Sequence, residues 1–92
     1  MTTLQREYQN AMVAFDSART TAEQMAFAAM DHGRLVSAAR GTGNSAIIAE
    51  TTAEQAQAME RYRGAVADME ACMEALGAAM IAAFQSYHSN KN

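Results

Sequence analysis

The apolar positions of this chain fall into two long stripes at helical spacing, separated by one short glycine-containing break. The first stripe runs Leu4, Tyr8, Ala11, Phe15, Ala18, Ala22, Met25, Ala29, His32 and Val36. Its steps alternate between four and three without a slip, which is the seam of a supercoiled helix. The second runs Met59, Tyr62, Val66, Met69, Met73, Leu76, Met80, Ala83 and Tyr87 with the same alternation. No stretch sustains period-two alternation, so strands are not expected. The pattern predicts an all-α fold: a long antiparallel helical hairpin, with helices over residues 3–39 and 45–86 and a turn at 41–45.

End signals agree with this division. Thr2 with Gln5 three residues later has the spacing of a capping box. Gly41 and Gly43 suit the left-handed conformations that end helices. Asn44 or Ser45 can cap the second helix, with Ile47 and Ile48 expected to enter the core at its start. Residues 87–92 are polar and expected to fray. Thr20-Thr-Ala-Glu-Gln24 recurs as Thr51-Thr-Ala-Glu-Gln55. The echo reads either as a duplicated unit with helix starts at Thr20 and Thr51, giving a three-helix chain, or as coincidence within a small helical alphabet. The first stripe passes Thr20 in phase, which favours one continuous helix.

Folding near residue 43 sets Ala11 opposite Leu76, Ala18 opposite Met69 and Ala22 opposite Val66, with Phe15 near Met73. Small side chains in one arm meet large ones in the other, which permits close approach. Gly64 opposite Ala22 is expected to give the closest approach, and Met73 and Leu76 to be deeply buried. Arg61 and Arg63 are expected to pair across the seam with acids such as Glu23.

One seam does not cover every apolar group. Met12, Val13, Phe27, Met30 and Leu35 lie off the first stripe, and Cys72, Ala78, Ala79 and Ile81 lie off the second. Residues 75–84 are apolar all round, as in a helix buried on several sides. Met12, Met30, Ala78 and Ile81 are therefore the expected self-association residues. They would join two copies into a four-helix-bundle-like homodimer or a higher oligomer.

Composition narrows the functional classes. The chain has 92 residues, one cysteine, no proline and a net charge of −3. That length makes one small domain with a thin stability margin. Seven scattered Lys and Arg are not a nucleic-acid footprint. The basic face of a membrane-surface helix is missing, and no apolar run is long enough to cross a bilayer. A single cysteine excludes an internal disulfide, and without a signal-peptide pattern the expected location is cytoplasmic.

No residue set specifies a reaction, a cofactor or a metal. His32 lacks a second ligand at helical spacing and reads as a seam or rim histidine. Cys72, flanked by Glu70 and Glu74, reads as a small packing residue rather than a nucleophile. Met59, Met69, Met73 and Met80 read as core filling; Met12 and Met30 are open to partner binding. Gly41-Thr-Gly-Asn-Ser45 is not a phosphate loop. Asp68, Glu70 and Glu74, with Arg61 and Arg63, form the candidate docking surface for a larger protein partner. The expected function is thus a non-enzymatic protein-binding module, acting as an inhibitor or regulator of the kind phages and mobile elements carry against host defences. The alternatives are a structural or chaperone-like subunit, and a sponge holding a small anionic ligand on the arginines near the turn.

Overall fold

Thr2 starts the first helix as the sequence implies. Its hydroxyl accepts from the Gln5 backbone N–H at 3.1 Å, and the Gln5 side chain accepts from the Thr2 N–H at 3.0 Å. In a computed structural model, which describes residues 2–91 and the side chains of 2–89, α1 spans Thr3–Thr42 and α2 spans Ser45–Lys91. The described residues form an all-α hairpin of these two helices, with no strand. It is a rod of 73 × 15 × 14 Å.

Both helices run past their expected ends, and the link shrinks from 41–45 to Gly43 and Asn44. Gly41 stays helical, and only Gly43 takes the left-handed conformation, at φ 68°. Its N–H donates to the Arg40 carbonyl at 3.3 Å. Thr42 carries α1 one turn further by donating its hydroxyl to the Ala39 carbonyl at 2.6 Å. Asn44 caps α2: its Oδ1 accepts from the Ala46 and Ile47 N–H groups at 3.0 and 3.2 Å.

No break occurs at Thr20 or Thr51. The Thr20 hydroxyl donates to the Asp16 carbonyl, Thr21 to Ser17, and Thr51 to Ile47, all within the helix. A threonine bonded back to the preceding turn sits inside a helix rather than capping a new one.

The α1 stripe is the observed seam. All ten of its residues are buried or half-buried, and the row continues to buried Ala39. The α2 stripe is corrected. Tyr62, Met69, Leu76 and Ala83 do face α1. The second row is Thr51, Ala58, Ala65, Cys72, Ala79 and Ser86, one residue before the expected Met59, Val66, Met73, Met80 and Tyr87. Moving one of two rows by one residue turns the buried face by about 50°. Met59 and Val66 are left half-buried at its edge. Met73, expected to be deeply buried, is 55% exposed, and Met80 is 52% exposed. Leu76 is half-buried.

The physical reason lies in helix separation. Among the described residues the buried ones are Ala22, Ala29, Val36, Ala39, Ala58 and Ala65, none larger than valine. A small residue every seventh position lets the two helices approach closely, and a row of methionines there would wedge them apart. Gly64, expected at the closest approach, is exposed, with nothing within 4 Å of where a Cβ would stand. Gly33 is the glycine that meets the other arm. Ile47 is exposed and Ile48 half-buried, because the seam of α2 begins at the latter.

Candidate protein-interaction surface

The seam phase fixes what each remaining side chain does. In α1, Met12, Asp16, Arg19, Glu23, Ala26 and Met30 follow one another at steps of four and three along one flank. In α2, Met59, Arg63, Val66, Glu70, Met73, Met80, Phe84 and Tyr87 lie along one flank in the same way. These two flanks share one side of the rod. Arg19, Glu23, Ala26 and Val66 line one shallow groove, and Met30, Gly33, Gln55 and Met59 line the next towards the turn. Met12 lines another together with Phe15 and Leu76. Towards the open end, Leu4, Ala83 and Tyr87 line a fourth groove. The result is a long, methionine-rich side with no cover within the described residues.

The expected self-association residues are separated by this geometry. Met12 and Met30 belong to the methionine-rich side. Ile81, 56% exposed, stands on the back of α2, and exposed Ala78 lies on the flank opposite Met80. The expected docking residues divide too. Arg63 and Glu70 are on the methionine-rich side, Arg61 and Asp68 on the opposite flank, and Glu74 on the back; all five are exposed. A single acidic docking surface is therefore not formed. Met73, Met80 and Tyr87 belong to this surface although the hydrophobic stripe assigns them to the seam, and Phe84 joins it from the segment 75–84 that is apolar all round.

The charges of the surface are organised along each helix and not across the seam. Arg63 pairs with Glu60 at 2.7 Å, and Glu23 pairs with Arg19 at 3.0 Å, so the expected pairing of Arg63 with Glu23 does not occur. Arg19 also holds Asp16 at 2.7 Å. The hydrogen bond to Asp16, reinforced by the Glu23 charge, raises the Arg19 pKa above its ordinary value. Arg34 pairs with Asp31 at 3.2 Å. Pairs three or four residues apart at such exposure are screened by solvent and contribute little to stability. Of the arginines near the turn, Arg34 and Arg63 are thus each held by an acid of their own helix.

Other chemistry finds no assembled site. Among the described residues, no three His, Cys, Asp or Glu side chains gather as metal ligands, and no helix is long and apolar enough to cross a membrane. Cys72 is half-buried in the seam, where its small volume serves close packing. At the open end the Phe84 and His88 rings meet tilted at 56° with centres 4.2 Å apart, and Tyr87 meets His88 edge-on at 5.7 Å.

No family model, curated protein or solved structure matches the chain.

Proposed function

We propose that this chain is a non-enzymatic protein-binding module that works by burying its methionine-rich side against helices, of its own copies and of a larger protein. One observation carries the reading. The hairpin exposes 6637 Å², whereas a compact monomer of 9.9 kDa exposes about 5,200 Å². The excess of about 1,400 Å² is on the scale of what stable protein–protein interfaces remove from water. The same hairpin carries an open row of large apolar side chains, which mark interaction sites when contiguous. Methionine adapts to varied partner shapes, which suits a regulator or inhibitor that occupies another protein's surface. The engagement of Arg34 and Arg63 by acids of their own helices argues against the anion-sponge alternative.

The test is the concentration dependence of unfolding. Association adds stability only to the folded state, so the thermal midpoint rises with protein concentration. A midpoint that stays constant over a hundredfold range (about 1 to 100 μM), with a monomer in sedimentation at both ends, removes the self-association half of the proposal.

A further inference from the structure

The middle of the methionine-rich side, residues 12–30 of α1 with 59–73 of α2, is nearly its own complement under a two-fold rotation, and we infer that a second copy of this chain docks there with its turn at the opposite end. This deepens the protein-binding reading above and rests on it. Along α1 the flank reads Met12, Asp16, Arg19, Glu23, Ala26, Met30. Reversed, it places Met12 on Met30 and Arg19 on Glu23. Along α2 it reads Met59, Arg63, Val66, Glu70, Met73. Reversed, it places Met59 on Met73 and Arg63 on Glu70, with Val66 at the centre.

The two centres coincide in space. The α1 series turns about residue 21 and the α2 series about residue 66, and Ala22 and Val66 line the same groove. One axis through that groove therefore satisfies both helices at once. It sets α1 antiparallel to α1 of the second copy, and α2 antiparallel to α2. Every neighbouring pair in the resulting four-helix bundle is then antiparallel. The same surface is used on both copies, which is the isologous interface of a closed dimer. Arg19 already sits between Asp16 and Glu23, so the partner's Glu23 completes a network and introduces no unpaired charge. Arg63, now on Glu60, needs only to turn its guanidinium towards the partner's Glu70.

Area supports the same occupant. A standard interface buries about 800 Å² on each partner, and the hairpin's excess of about 1,400 Å² over a compact monomer is enough to supply it. The back of α2, with Ile81, and the back of α1, with Phe27, lie outside the contact.

The experiment uses the full chain with Cys72→Ala as background and one new cysteine at a time. In the proposed dimer, Val66→Cys meets its own counterpart across the axis within reach of a disulfide, and Ile81→Cys does not. Under oxidised glutathione at micromolar protein, Val66→Cys should become covalently dimeric at least about tenfold faster than Ile81→Cys. Independently, Arg63→Glu should weaken the dimer in sedimentation velocity, and adding Glu70→Arg should restore it, with circular dichroism verifying that both variants remain helical. Dimers that form without selective cross-linking at Val66→Cys, and without charge-swap rescue, would overturn this interface while leaving the protein-binding reading standing. A helical chain that sediments as a monomer at every concentration would overturn self-association altogether.

Discussion

Gly33 of α1 faces Gln55 of α2 so closely that a Cβ on the glycine would stand 3.4 Å from the glutamine Nε2. This is contact without collision, and the facing atom is the end of a flexible side chain. Helix-interior glycine costs roughly 1 kcal/mol relative to alanine. Gly33→Ala should therefore stabilise the hairpin by up to about 1 kcal/mol in urea denaturation. A destabilisation of that size would show that Gln55 cannot yield and that the arms are locked at this point. Gly64→Ala, with open space around it, serves as the control and should gain a similar amount.

The seam of small residues makes a sharper prediction, because it reverses the ranking expected from side-chain size. Ala65 is 8% exposed and Met73 55% exposed. Ala65→Met should cost about 1–3 kcal/mol by forcing the helices apart. Met73→Ala should change the stability of the monomer by less than about 0.5 kcal/mol. Leu76, half-buried, should fall between, with Leu76→Ala costing on the order of 1–2 kcal/mol, below the usual range for a full core leucine. Equal effects at Ala65 and Met73 would return the seam to the bulky row.

These contrasts show which parts of the molecule were legible in the sequence. The α1 seam was readable because one pair of rows holds Leu4, Tyr8, Phe15, Met25 and Val36, while the rows beside it are broken by Gln5, Glu7, Arg19, Thr21 and Arg40. In α2 two adjacent rows are both apolar, one small and one bulky. Hydrophobicity favours Met59, Met73 and Met80, while close helix approach favours Ala58, Cys72 and Ala79. Only the packed partner decides between them. The same ambiguity hid the interaction surface. Met12 and Met30 are surplus to the first stripe, but hydrophobicity alone assigns their counterparts Met73 and Met80 to the seam. The complementarity of Arg63 with Glu70 becomes visible only once both are known to share a flank. The helix ends were displaced for a smaller reason: Gly41 has the composition of a terminator, yet the hydrogen bonds of Thr42 and Gly43 carry the helix past it.

The two-residue link should be a concentrated source of stability. Gly43 holds φ at 68°, a conformation that costs a residue with a Cβ about 1–2 kcal/mol. Gly43→Ala should lose about that much. Asn44→Ala removes the acceptor for two otherwise uncapped N–H groups at the start of α2 and should cost about 1 kcal/mol. Gly41→Ala, at a helical position, should be neutral or stabilising, and thermal unfolding of the three variants separates the terminator from its neighbour.

His32 supplies the last test, because an enclosed ring nitrogen on the seam is left unanswered. Its side chain is half-buried at a position where the neighbouring turns present Ala29 and Val36. Nδ1 is enclosed with no hydrogen-bond partner among the described residues. A buried polar atom left without a partner costs about 1–3 kcal/mol, while an apolar group of similar size incurs no such penalty. His32→Leu should therefore raise the urea midpoint, by a stabilisation of about 1 kcal/mol. His32→Gln keeps a polar group at the same place and should give no such gain. If the leucine variant is instead the less stable of the two, the imidazole has a partner in solution, and the seam near the turn opens far enough to admit it.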